Sequence, residues 1–297
     1  MKNKNIVVTG GSGFIPSHLI EALEKENPNK IYNLDLKEGY DLCCYGETEK
    51  FFKTHKIDVV FDLATLPLPL SLKQPRFVVC DIIRIATNLA EICRKGLFKT
   101  LIHVSSSEAY GSAKYTPMDE QHPLNPTTPY ASAKASADLI ILSYHKTFGI
   151  DTAIARCFNT YGERQPIELG AIIPKTINKI LNNQHPEIYG DGYQTRDFIY
   201  VKDTVRGIME VYKCKDTRGK VINIAGGKEV SIKEIVEKIC EILKYKDRVI
   251  YQKQRKADVS RHWASINLAK RLFNFVPQYT LEQGLERTIN YYKKEVK

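Results

Sequence analysis

A short run of branched apolar residues, Ile6-Val7-Val8, breaks into Thr9-Gly10-Gly11-Ser12-Gly13. An amphipathic stretch over residues 17–25 follows, with Leu19, Ile20 and Leu23 on one side. β-Branched residues suit a buried, pleated strand. The glycines permit a tight turn, and the period near 3.6 calls for a helix. The pattern then recurs. Residues 31–34, 58–63, 101–104 and 152–156 read as strands, and residues 78–94 and 131–148 as helices. Strands alternating with helices imply right-handed crossovers and a mostly parallel sheet. The expected fold class is therefore α/β, a doubly wound parallel sheet.

Beyond about residue 160 the alternation loosens. Residues 159–170 read as a loop, 171–181 as a helix and Tyr189-Gly190-Asp191-Gly192 as a turn. Residues 221–224 and 248–251 read as strands around a helix at 232–243, and the tail over 281–292 is helical. No linker or repeat separates these parts. The expected arrangement is two interwoven lobes with a cleft between them. Residues 1–160 form mainly the first lobe. Residues 161–297 form mainly a smaller α/β lobe, with part of the chain returning to the first.

Composition narrows the function. The net charge is +10, but Lys and Arg are scattered among acids and no basic run is interleaved with aromatics. Nucleic acid is not an expected partner, whereas an anionic small substrate suits a basic cleft. No apolar run approaches the ~18–20 residues that span a bilayer, and the first residues lack a signal-peptide core. The seven cysteines show no CxxC spacing. Reduced thiols and a cytoplasmic location are expected. The histidines are dispersed without ligand spacing, so no metal is expected.

Gly10 and Gly13 occupy the first two positions of a dinucleotide-binding turn, where backbone N–H groups at a helix start meet a pyrophosphate. Position 16 is Pro instead of the third glycine. It falls in the first helical turn, where a missing N–H costs little. A glycine-rich turn without a ligand is the plain alternative. Asp35 weighs against that alternative. It lies about 20 residues on, at the end of the second strand, where an acid takes a ribose diol and repels a 2′-phosphate. NAD is thus expected over NADP, although Lys37 stands nearby. Tyr130 and Lys134 are four residues apart, on one helix face. An ammonium near a phenol favours the phenolate. Ser105-Ser106-Ser107-Glu108 closes the strand at 101–104 with hydroxyls and an acid. Together these outline a proton-transfer site beside a nicotinamide.

In this order the residues resemble the extended short-chain dehydrogenase/reductases, specifically the NAD-dependent nucleotide-sugar epimerase/dehydratase family. The resemblance spans nearly the whole chain. "TGGSGFIPSHL" resembles the cofactor turn, "DVVFDLAT" the next strand (with Asp62 where a His is usual) and "PYASAK" the Tyr/Lys pair. "RCFNTYGERQ", "YGDGYQTRDFIYVKD" and "RKADVSRHWASI" resemble substrate-lobe motifs, and "TLEQGLERTINYY" the C-terminal helix. The segment between Asp35 and Asp58 is short for the family, which implies a trimmed strand and adenine-side wall.

The resemblance implies a Rossmann-type fold with NAD held by Gly10, Gly13, Phe14, Ile15, Asp35, Asp41, Leu42, Leu63, Ala64, Tyr130 and Lys134. It implies that Ser106, Glu108, Tyr130 and Lys134 are catalytic. Ser107, Asn159, Tyr189, Arg196, Arg255 and Asp258 would bind a nucleotide-diphosphate sugar, with UDP favoured over GDP, CDP and dTDP. The implied reaction runs through a 4-keto sugar. With Glu108 as base it is 4,6-dehydration. With Glu108 idle it is 4-epimerisation, and a decarboxylation of the UDP-glucuronate type is a third branch. An oxidoreductase that releases reduced cofactor is a further alternative. A non-enzymatic NAD sensor is less consistent, because such proteins typically lose the Tyr/Lys pair. A homodimer joined through the helices at 78–94 and 131–148 is also implied.

Overall fold

The computed structural model describes residues 1–254 and 259–295. Arg255 and Asp258 lie outside them. Its strands are β1 (Asn5–Thr9), β2 (Lys30–Leu34), β3 (Val59–Asp62), β4 (Thr100–Ser106), β5 (Asp151–Cys157), β6 (Asn159–Tyr161), β7 (Glu187–Tyr189), β8 (Thr195–Arg196), β9 (Phe198–Tyr200), β10 (Val221–Ile224), β11 (Val230–Ser231) and β12 (Ile250–Gln252). Its α-helices are α1 (Phe14–Glu24), α2 (Tyr45–Thr54), α3 (Leu68–Ser71), α4 (Pro75–Arg94), α5 (Pro129–Phe148), α6 (Ile172–Leu181), α7 (Val201–Lys213), α8 (Ile232–Leu243), α9 (Asn267–Phe273) and α10 (Leu281–Glu295).

Six strands form one parallel sheet in the order β10-β5-β4-β3-β1-β2. The apolar strand runs of the sequence have a direct cause, because this sheet is buried on both faces. Successive side chains of β1 point to opposite sides. Ile6 and Val8 pack with Leu19, Ile208 and Phe275 on the face covered by α1, α7 and α9. Val7 packs with Phe51, Ile82, Leu89 and Ile141 on the face covered by α2, α4 and α5. The doubly wound α/β fold expected from the alternation is present. The chain leaves β1 towards β2, then crosses back to place β3 on the other side of β1. That reversal opens a crevice at the carboxyl end of β1, where such sheets bind ligands.

Only α2 and a short 3₁₀ turn separate β2 from β3, so β2 is the sheet edge. The strand the short segment was expected to lack is absent. Residues 159–170 are less loop-like than their sequence suggests, because β6 pairs with β9 in register Asn159↔Phe198 to Tyr161↔Tyr200. The strand expected at 248–251 begins at Ile250 and pairs with β7. A third core joins Ile173, Ile177, Ile235, Ile239, Leu285 and Ile289 from α6, α8 and α10. After β9, α7 returns to the main sheet, and β10 completes its edge.

Helices α4 and α5 pack against each other, and Phe77, Leu139 and Phe148 remain exposed on them. All seven cysteines are free. Among the described residues, no helix is long and apolar enough to cross a membrane.

The return of α7 to the sheet depends on a missing side chain. A Cβ on Gly207 would stand 2.6 Å from Ile224 Cγ2 and 3.2 Å from Phe275 Cε2. Both neighbours are fully buried. Gly207→Ala gains about 1 kcal/mol of helix propensity but overpacks this contact at a cost of about 1–3 kcal/mol. The expected outcome is a lower urea midpoint at unchanged slope, a net loss of up to roughly 2 kcal/mol. A raised midpoint would show that the sheet yields to the added methyl.

Candidate active site

The crevice is a cleft of about 560 Å³ at the carboxyl ends of β1, β3 and β4. Gly10 forms its floor with φ +64°, a conformation that L side chains rarely adopt, and a Cβ there would lie 3.0 Å from Ala64 Cα. Gly10 N–H donates to Leu34 O at 2.9 Å, and Gly13 N–H donates to Gly10 O at 2.9 Å. This closes the turn and makes Gly13 the N-cap of α1. Pro16 is the third helical residue. The first intrahelical bond of α1 is made by Ser17 N–H to Gly13 O at 3.1 Å, so Pro16 interrupts nothing.

Asp35 stands at the end of β2, as expected. One carboxylate oxygen accepts from Ser12 N–H at 3.1 Å and the other from Lys37 N–H at 2.8 Å. Both Asp35 and Lys37 line the cleft, with Gly10, Gly13, Phe14, Ile15, Leu63, Tyr130 and Lys134. A glycine floor, helix N–H groups and an acid at the rim fit a dinucleotide. Three assigned residues stand elsewhere. Ala64 lies behind Gly10, with its N–H donating to Thr9 Oγ1 at 2.9 Å. Asp41 closes its own turn by accepting from Cys43 N–H at 2.9 Å. Leu42 is buried with Phe51 and Phe52, and its carbonyl accepts from Asn88 Nδ2 at 2.8 Å. Within the segment before α2, Leu42 is buried in the core while residues 36–41 stay exposed.

At the far end of the cleft, Thr128 caps α5 by accepting from Ala131 N–H at 3.2 Å, which places Tyr130 in the first turn. Burial pushes the Tyr130 phenol up to about 12, and the Glu108 charge pushes the same way, while hydrogen bonds with Ser106 and Thr65 pull it down. The i,i+4 spacing does put Lys134 on the same helix. Its ammonium, however, donates to Val104 O at 2.7 Å and stands 3.5 Å from His103 Nε2. The phenol is therefore raised, not depressed, by the protein groups around it. Burial also lowers the Lys134 pKa, opposed by Asp62 and Asp138.

Ser106 ends β4, and its Oγ accepts from Glu108 N–H at 3.2 Å, capping the 3₁₀ turn Ser107–Tyr110. This turn carries Glu108 to the junction of two cavities. The second cavity, about 280 Å³, is lined by Glu108, Asn159, Tyr189 and Arg196 among others. Glu108, Asn159, Thr160, Gln165 and Ala171 line both. Ser107 does not reach either, being buried at 3% exposure beneath the turn. Arg196 is held by the carbonyls of Thr195 and Val259, accepting its N–H groups at 2.8 and 2.6 Å.

Several cavity residues were not foreseen. Lys175 donates to Glu187 at 2.7 Å and to Tyr189 Oη at 3.3 Å. With Lys179 it draws the Glu187 carboxyl down to about 2. The sequence carried a signal here, since Lys175 and Lys179 are an i,i+4 pair facing the next strand. Thr65 carried none, being one polar residue in a leucine- and proline-rich loop. Among the described residues, no group of three or more His, Cys, Asp or Glu is placed to hold a metal.

A glycine turn under a nucleotide cleft, joined to a tyrosine, a serine and a lysine at the end of a parallel sheet, defines a dinucleotide-dependent α/β enzyme. The model of the NAD-dependent epimerase/dehydratase family matches residues 6–225, and the chain belongs to that family. Its cofactor is NAD, and its class is isomerase or lyase. A putative UDP-glucose 4-epimerase of Methanocaldococcus jannaschii is 34% identical over 97% of this chain and 98% of its own length. The crystal structure of UDP-glucose 4-epimerase from Thermotoga maritima with UDP-glucose superposes with a TM-score of 0.94 at 26% identity, covering 99% of this chain and 100% of that one. The dTDP-glucose 4,6-dehydratase DesIV of Streptomyces venezuelae, solved with NAD bound, gives 0.91 at 26% identity, covering 98% and 97%.

Asp35→Ala removes the acid at the rim of the cleft. NAD affinity is expected to fall about tenfold, close to 1.4 kcal/mol, with the NAD/NADP preference shifted towards NADP beside Lys37. Titration calorimetry with both nucleotides checks this, and an unchanged preference would remove Asp35 from the ribose site.

Proposed function

We propose that the protein converts a nucleotide-diphosphate sugar through a 4-keto intermediate, and that its principal reaction is 4,6-dehydration. One observation carries this reading. Glu108 lines both the cofactor cleft and the second cavity, beside Tyr130. A carboxylate there reaches the part of the sugar next to the oxidised carbon. A reaction confined to C4 has no use for it.

NAD, when bound, takes hydride from C4 and later returns it, and its oxidised ring brings a positive charge. The protein does the proton work. Tyr130 accepts the proton of the C4 hydroxyl, and Ser106 hydrogen-bonds the same oxygen. Lys134 adds a cation to the site. Once C4 is a ketone, the C5 proton is acidic. Glu108 removes it as general base and passes it to the C6 hydroxyl, which leaves as water; hydride then returns to C6 and a proton to C5, balanced by the proton that Tyr130 took from the C4 hydroxyl. Asn159 and Arg196 support the diphosphate, for which guanidinium geometry is suited. Tyr189 borders the base, with UDP favoured.

A second reading, 4-epimerisation, has its own support. Ser107 is buried outside both cavities, so it adds no polar group beside Glu108. The relative at 34% identity is a putative 4-epimerase. In that case Glu108 is idle and hydride returns to the opposite face of C4.

Residues 1–160 on this reading carry mainly NAD and residues 161–297 mainly the sugar nucleotide. The exposed Phe77, Leu139 and Phe148 on α4 and α5 support a homodimer through those helices. The free cysteines support a cytoplasmic location.

Incubation with NAD and a panel of nucleotide sugars, followed by proton NMR, tests the reaction. A 6-deoxy methyl doublet with loss of the C6 hydroxymethyl signals is the expected result. A retained C6 with inverted C4 coupling would establish the epimerase instead. Glu108→Gln should lower dehydration by about 10²–10⁴-fold while leaving the initial reduction of bound NAD by substrate. Tyr130→Phe should abolish both.

A further inference from the structure

Behind the cleft lies a buried cluster of which only Lys134 has a part in the scheme above. Asp62 on β3, His103 on β4, Lys134 and Asp138 on α5 and Arg156 on β5 are each at most 3% exposed. Asp62 accepts from Thr9 Oγ1 at 2.8 Å through one oxygen and meets His103 Nδ1 at 2.7 Å through the other. On the far side of the imidazole, His103 Nε2 stands 3.5 Å from Lys134 Nζ and 3.7 Å from Asp138 Oδ1. Asp138 Oδ2 accepts from Ser105 Oγ at 2.8 Å and from Arg156 at 2.6 Å, while Asp138 Oδ1 has no hydrogen-bond partner. Cys157 on β5, Tyr110, whose ring lies 4.4 Å from the Arg156 guanidinium, and Glu120, whose carboxyl interacts with both Arg156 and Tyr110, complete the titratable surroundings.

The charges decide the protonation. Burying an unbalanced charge is expensive. Two carboxylates and one guanidinium leave a single positive charge to be placed. Lys134 and His103 compete for it and, 3.5 Å apart, cannot both carry it cheaply. Asp62 resolves the competition by geometry. As a carboxylate it only accepts, so Nδ1 must hold the proton and Nε2 is left as a lone pair facing the ammonium.

We propose that Asp62 and His103 are positioning residues for Lys134, with His103 held as the neutral Nδ1–H tautomer so that Nε2 accepts from the ammonium and keeps it charged beside the active site. The proposal rests on the reading of Lys134 as catalytic. Its reach is wider than packing, because it sets the pH above which Lys134 is neutral. Removal of the Asp62 charge leaves burial to lower the Lys134 pKa with less opposition, so the ammonium is lost at lower pH.

The test uses the full chain with bound NAD. Asp62→Asn keeps the shape and still accepts from Thr9, but its amide then donates to His103 Nδ1, which forces the proton to Nε2. Long-range ¹H–¹⁵N spectra of the histidines, with His103 assigned by its loss in His103→Gln, read the tautomer without turnover. The wild type should show neutral Nδ1–H at the pH at which it turns over. Asp62→Asn should show Nε2–H or the cation. In the pH profile, Asp62→Asn should bring the alkaline limb of kcat down by about one unit or more, with KM within about twofold. His103→Gln, whose amide oxygen can accept from Lys134 without titrating, should keep the limb near its wild-type position. His103→Leu should lower it as Asp62→Asn does.

A cationic or Nε2–H His103 in the wild type overturns the proposal. So does an alkaline limb that stays in place in a folded Asp62→Asn, or a Gln variant no better than Leu. If Lys134→Met turns over normally, it is the catalytic reading of Lys134 that fails, and the tautomer spectra still decide the hydrogen-bond assignment.

Discussion

The pairing of β4 with β5 is the contact on which the site depends. It runs in parallel register from Thr100↔Asp151 to Ser106↔Cys157. Two side-chain bonds lock it, Thr100 Oγ1 to Asp151 at 2.6 Å and Thr152 Oγ1 to Leu101 O at 2.7 Å. A slip of one residue would turn every side chain of β4 to the other face. Ser105, which now bonds the buried Asp138, would then point where Ser106 points. The same pairing puts the end of β4 beside Asn159, two residues past the end of β5. From there β6 pairs with β9 and the chain enters the second core. One strand pair thus joins the two cavities of the site.

Three adjacent serines show how far a sequence can be read at this place. Ser105, Ser106 and Ser107 follow one another at a strand end, and their residue type alone makes them equivalent. Their fates differ with direction. Ser105 faces Asp138, Ser106 caps the turn at the cleft and Ser107 is buried under it. The period of two separates the first two. The tight turn after Ser106 then breaks the alternation, and no pattern in the sequence reports which way Ser107 goes.

The same distinction holds for the fold. The main sheet and its helices α1, α4 and α5 were legible because their apolar runs are periodic, whereas α2, α7 and α9, which also cover it, were not read from the sequence. The glycine turn and Asp35 were legible because their spacing follows from how a strand, a turn and a helix succeed one another. The two-stranded pairings β6·β9 and β7·β12 were not, or only in part. Strands of three residues carry too little periodicity, and their pairing is decided by tertiary contact. Asp41 and Leu42 show a different limit. The short segment was visible, but the burial of Leu42 with Phe51 and Phe52 depends on packing that no local pattern encodes. The buried Asp62–His103–Asp138 cluster was hidden for a similar reason, since its members come from three elements and meet only through sheet register.

Electrostatics gives that cluster a bearing on the chemistry. The protein groups around Tyr130 leave its phenol near 12. Reaching the phenolate at neutral pH from there means about five pKa units, or roughly 7 kcal/mol. A unit positive charge about 5 Å away contributes about 3 kcal/mol at an effective dielectric near 20. One added cation, such as an oxidised nicotinamide ring, covers about half the difference. Lys134, one helical turn from Tyr130, is already one of the protein groups around the phenol, and its charge is held in a place where burial works against it. Asp62 and Asp138 oppose that effect from behind the sheet. The acids that never touch the cleft are therefore coupled to the phenol that does, through the charge on a single lysine.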